Sequence, residues 1–142
     1  MNPALCRVAI LAMAAFATGS SLVLGPLLLE RRHLQTGREV YAAHCASCHG
    51  TNLEGQPNGQ VRSADGLLPA PPHDEDGHTW HHDRELLVAI TKYGVAEAAD
   101  LEDYRSAMPA FDDVLDDGEI EAVIDWMAST WPNEIRTRWE NH

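Results

Sequence analysis

The sequence has almost no lysine: Lys92 is the only one in 142 residues. Ten basic residues face 22 acidic ones, a formal charge of −12 with the histidines neutral. Nucleic-acid binding needs a basic surface, so the balance argues against that class. Strand signal is missing too, and no internal repeat is visible. Apolar residues are scarce where a core must form. Residues 1–29 hold 20 of the 63 hydrophobic residues, leaving 43 for the other 113. That is lean for one domain of this length, and a bound apolar group completing the core would fit.

What is present begins with a long apolar run. Val8 to Leu29 is 22 residues without a charge, preceded by Arg7. As a helix it spans about 33 Å, close to the hydrocarbon thickness of a bilayer. Ala15-Phe16-Ala17 offers a small-x-small cleavage site, so a removed signal peptide is one reading. The run continues twelve residues past Ala17, which favours a retained signal anchor. Gly25-Pro26 is expected to kink or end this helix. Arg31 and Arg32 sit awkwardly for the positive-inside rule. Either way the rest of the chain is exported. The expected organisation is a signal anchor or signal peptide at 1–29, a linker at 30–35, an all-α domain at 36–132 and a polar tail at 133–142.

Cys6 lies at the start of the apolar run with no lipid-attachment box and reads as a small hydrophobe. Cys45 and Cys48 could form a disulfide, bind a metal or act as a redox pair. Cys45-Ala46-Ser47-Cys48-His49 decides among these, because C-x-x-C-H is the haem c attachment signal. Its two thiols can add to the two vinyl groups of one haem, and the adjacent imidazole then reaches the iron. A thioredoxin-like motif would need a βαβ setting, and zinc a second ligand pair at similar spacing. Neither is visible.

The remainder reads as helices and loops. Thr36-Gly37-Arg38-Glu39 has the form of a capping box opening a helix to about Ala46. Residues 50–79 are rich in Gly, Pro, Asn and Asp and read as a long ordered loop. Asp83 is placed to cap a helix with Leu86, Leu87 and Ile90 on one face, stopping near Gly94. Residues 97–104 suggest a further short helix. Asp116 and Glu119 open the strongest one, with Ile120, Val123, Ile124 and Met127 at i, i+3, i+4 and i+7 and an end before Pro132.

With these residues in place, 36–132 resembles a class I c-type cytochrome of one haem. The resemblance rests on Gly37-x-x-x-Tyr41, the run Cys45 to Gly50, Met108-Pro109-Ala110-Phe111, and a helix ending at Trp131-Pro132. It is similar to membrane-anchored or periplasmic monohaem cytochromes of bacteria that carry a loop like Pro71 to His82. The resemblance implies a small cytochrome c fold of three to five helices around one covalent haem c. In that fold the first and last helices cross at right angles; Gly37 permits the approach, and Tyr41 packs on Trp126 or its neighbours. It also places the distal iron ligand at Met108. The lysine ring of mitochondrial cytochromes c is missing, so their docking mode is not implied.

Met108 stands 59 residues after His49 in a non-periodic stretch, ahead of a proline that fixes the backbone. Its thioether can ligate both iron oxidation states. A histidine or an open site is the alternative. Met127 lies on an apolar helix face, where packing is the default. His73, His78, His81 and His82, with Asp74, Glu75 and Asp76, could hold a second metal. The plainer reading folds this loop over a haem edge, its His and Trp80 nitrogens satisfying propionates or loop carbonyls. Tyr93 and Arg84 are candidates to approach propionates. His33, His44 and His142 read as surface or packing residues.

Residues 97–125 carry eleven acids and one base, Arg105. Such a run either solvates a face or steers a basic partner. The expected function is a one-electron carrier at the bacterial inner membrane, its haem domain in the periplasm, with redox proteins of a respiratory or photosynthetic chain as partners. A soluble periplasmic carrier results if the signal is cleaved. A haem subunit of a larger oxidoreductase complex and a haem or copper sensor are the alternatives. No bond chemistry is expected of the chain itself.

Overall fold

The computed structural model describes residues 24–141. The chain divides into two compact units, 1–33 and 34–142. Every residue from 24 to 40 is helical (α1), Gly25 and Pro26 included. In the first unit Leu24, Leu27, Leu28 and Leu29 are exposed. Among the described residues no helix is long and apolar enough to cross a membrane. Most of the expected anchor, Val8 to Leu29, lies outside them.

The capping box expected at Thr36 does not form. Thr36 sits inside α1, and the Glu39 carboxylate accepts from the Gln35 amide at 2.7 Å. Residues 30–35, expected as a linker, are helical as well. The reason is local: residues 27–36 contain neither Gly nor Pro and are mostly good helix formers, so no stop signal precedes Thr36.

α1 passes into a π-helical turn, Tyr41–Cys45, and then a single α turn, Ala46–His49 (α2). A long loop follows, with a 3₁₀ turn at Thr79–His81. Asp83 accepts from the Leu86 amide at 2.7 Å and starts α3, Arg84–Tyr93, as expected. The helix expected at 97–104 is instead one turn, Val95–Ala98 (α4). Asp100 has φ +52°, a left-handed conformation that a helix cannot continue through. α5 is Asp117–Thr130, with the capping box between Asp116 and Glu119 formed in both directions at 2.8 and 3.0 Å. Residues 133–142, expected as a polar tail, hold a further helix, α6, Asn133–Trp139. Among the described residues there is no strand.

The core forms where α1 meets α5. Ile120, Val123, Ile124 and Met127 are buried, as their spacing predicts. A Cβ on Gly37 would overlap the Ala122 carbonyl, so only glycine allows this approach. One turn on, the Tyr41 and Trp126 rings lie 4.9 Å apart at 46°. α3 is fastened to α5 by a two-pronged Arg84–Asp125 pair, both bonds 2.9 Å. Trp139 completes the core from α6: it meets Trp131 edge to face at 5.3 Å, and its indole donates to the His82 carbonyl. The tail reading failed because the polar residues outnumber the two side chains, Ile135 and Trp139, that pack on the core.

Candidate functional site

The π turn sets the first part of the site. It ends with the Ala46 amide donating back to the Tyr41 carbonyl, five residues earlier, and adds one residue to the turn that leads into Cys45. Cys45 ends the π turn and Cys48 follows three residues on in α2, so the two free thiols are neighbours about one helical turn apart. Cys45 is half-buried and Cys48 exposed. Burial, with the neighbouring Cys48 as a smaller cause, pushes the Cys45 thiol up to about 11. Gly50 ends the turn at φ +83°. The Tyr41 hydroxyl donates to the Gly50 carbonyl at 2.9 Å, and the Gly55 amide to the His49 carbonyl at 2.7 Å. Burial holds the Tyr41 phenol well above its ordinary range. The backbone under the motif is pinned on both sides.

His49 is 6% exposed. Its Nδ1 lies 2.9 Å from the Pro71 carbonyl. A carbonyl only accepts, so Nδ1 carries the proton and Nε2 carries the lone pair. Burial lowers the His49 pKa and so favours the neutral ring, the Pro71 bond opposing it. Pro71 reaches His49 because its strand of loop lies tight on Gly55, where φ is +68° and a Cβ would come within 2.7 Å of the Pro71 carbonyl carbon. Beside His49, His73 stacks ring on ring at 4.0 Å and 23°. Burial first, then His49 and His78, push His73 down to about 3.

Met108 is half-buried against the edge of the core. It lines a cleft of about 500 Å³ with Leu67, Tyr93, Gly94, Tyr104 and Ala110 among its neighbours. The structure therefore gathers Cys45, Cys48 and His49 on one turn, while Met108 lines a cleft that includes none of the three. Tyr93 lies in the Met108 cleft. Arg84 pairs with Asp125 and, at 3.5 Å, with Glu121.

The histidine loop makes internal contacts. His73 Nδ1 meets the Thr79 hydroxyl at 2.7 Å, and the Trp80 indole donates to the Glu75 carbonyl at 3.4 Å. His81 stacks on Trp80, and His78 meets His82 edge to face. Among the described residues no group of three or more His, Cys, Asp or Glu side chains converges as a metal site. His44 packs edge-on to Phe111; His142 lies outside the described residues. Sequence reading missed Pro71 as a partner of His49 and Trp131 and Trp139 as loop anchors. The first acts through a backbone carbonyl and leaves no signal in residue type.

The residues fit the chemistry of a covalent haem: two unpaired thiols, a neutral imidazole with its proton fixed on Nδ1, and a thioether in a cleft. All-helical packing around that turn defines a c-type cytochrome. A family model described as cytochrome C oxidase, cbb3-type, subunit III matches residues 32–127, and the chain belongs to that family. Membership implies a covalent haem c. The chain is also 28% identical over 80 residues to the Cbb3-type cytochrome c oxidase subunit FixPc of Rhizobium leguminosarum bv. viciae. That match covers 56% of this chain and 24% of the relative, so the chain spans about a quarter of that protein's length. No solved structure matches.

Proposed function

We propose that the chain is a one-electron carrier that works as a haem-bearing subunit of a respiratory oxidase assembly. Cys45 and Cys48 would hold one haem c through thioether bonds, and His49 and Met108 would ligate its iron. The observation that carries this reading is the His49–Pro71 bond at 2.9 Å. It commits Nε2 to the metal and makes the imidazole a better donor. When bound, haem c supplies an iron that cycles between Fe(II) and Fe(III), and His/Met ligation raises its potential. The chain's own work is to hold the two ligands, exclude water from His49 and present an acidic surface; it moves no proton and makes no bond after haem attachment.

Family membership and the FixPc relative favour a subunit over a free carrier. The sequence of Val8 to Leu29 favours a membrane anchor with the haem domain in the periplasm. Gentle solubilisation of native membranes, followed by sizing with haem detection, tests both. The expected result is haem that resists acid-acetone extraction and travels in fixed ratio with an oxidase. Extractable haem would overturn the c-type assignment. Covalent haem on an isolated small protein would return the chain to the free carriers.

A further inference from the structure

His73 is held more firmly than a loop histidine needs to be. Its backbone N–H donates to the Leu53 carbonyl at 2.7 Å, and its carbonyl accepts from the Trp131 indole at 2.7 Å. The ring is fixed as well. His73 Nδ1 and Thr79 Oγ1 are hydrogen-bonded at 2.7 Å, and the Thr79 hydroxyl also reaches the Pro72 carbonyl at 3.4 Å. Thr79 is itself buried, at 4% exposure. Two of these bonds fix the His73 backbone and the third its ring, and together they set where the imidazole lies. It lies 4.0 Å from the His49 ring at an interplanar angle of 23°.

We propose that His73 is a positioning residue that sets the plane of the His49 imidazole by stacking on its face. The inference rests on His49 being the proximal iron ligand. The Nδ1 bond to Pro71 restrains rotation about Cβ–Cγ, yet hydrogen-bond angles tolerate a residual swing of the ring. A second, anchored ring against its face removes the swing. The orientation of an axial imidazole governs how its orbitals meet those of the iron, so a partner that orients it tunes the metal. Residue type matters here: an aliphatic side chain would fill the space without a flat surface to align the ring.

Electron paramagnetic resonance of the oxidised, haem-loaded protein tests this. In the wild type a low-spin signal with one sharp set of g values is expected. Absence of a low-spin covalent haem would overturn the ligand reading itself, and the inference with it. Given that signal, His73→Ala should shift and broaden the largest g value while covalent haem and low spin persist. His73→Phe keeps a stacking ring and should restore a narrow signal near the wild-type position. Thr79→Val frees the His73 ring without emptying its space, and should broaden the signal less than His73→Ala. It serves as the readout if His73→Ala does not fold. Unchanged g values in His73→Ala, or in Thr79→Val where that variant stands in, would overturn the proposal. So would a His73→Phe signal as broad as that of His73→Ala, because loss of the stack would then not be the cause.

Discussion

The Trp139 indole donates to the His82 carbonyl at 2.8 Å, joining positions 57 residues apart in the chain. The ring is only 8% exposed. A segment composed like a polar tail thus closes the histidine loop. Trp139→Ala should cost about 3–5 kcal/mol through the cavity it leaves. Trp139→Phe, which loses mainly the hydrogen bond, should cost about 1 kcal/mol. Denaturant unfolding of the haem-loaded protein reads both. An unchanged midpoint in Trp139→Ala would make α6 an appendage.

Gly37→Ala separates two opposed effects. Inside an ordinary helix the change stabilises by about 0.5–1 kcal/mol. Here the new methyl meets the Ala122 carbonyl and the Trp126 Cβ, so α1 and α5 must part. A loss of about 1–3 kcal/mol is expected, as for an overpacked core. A gain in melting temperature would show that the two helices do not touch at this point.

Arg84 joins α3 to α5 through Asp125. Its pair with Asp125 is partly exposed, with side-chain exposures of 34% and 29%. A double-mutant cycle with Arg84→Gln and Asp125→Asn should give a coupling of about 1 kcal/mol or less. The reduction potential of Arg84→Gln should match the wild type. A large change in potential would place the guanidinium beside the haem after all.

The distal ligand is tested by contrast. Met108→Ala removes a soft donor that favours Fe(II), so the potential should fall and the reduced protein should bind carbon monoxide. Met127→Leu swaps one buried apolar side chain for another of similar volume and should leave the potential nearly unchanged. A six-coordinate Met108→Ala at the original potential would move the ligand elsewhere.

The acidic surface needs a selective test, because some of its members are structural. Asp116 caps α5, and Asp117 pairs with Lys92. Glu102, Asp103, Asp112 and Asp113 are exposed. Neutralising those four as amides should flatten the salt dependence of electron transfer with a basic redox partner, which weakens as the Debye length falls below about 10 Å. A salt slope identical to the wild type would leave these carboxylates as solvating groups only.

Much of this was legible because it resides in local pattern. The spacing of Ile120, Val123, Ile124 and Met127 predicts the buried face of α5, and Asp83 and Asp116 mark two helix starts correctly. The Cys45–His49 run names its cofactor by residue type alone. What escaped depends on other kinds of information. Thr36 has a capping pattern, yet the helix was already under way, and a cap signal does not reveal whether a helix precedes it. The Pro71 contact uses a carbonyl that every residue has. The Trp139 contact pairs a side chain with backbone from a distant loop, which no window of sequence contains.

The π turn at Tyr41–Cys45 gives the chain a fixed residue count at a place where composition looks free. Ala42 and Ala43 are exposed, and their side chains can be exchanged at little cost. Deleting either one is another matter. A turn shortened to ordinary α geometry would rotate everything on one side of it by about 100° relative to the other. Gly37 would then no longer face Ala122 while Cys45 and Cys48 keep their present direction. Mutational drift at Ala42 and Ala43 is therefore free in spelling and closed in length.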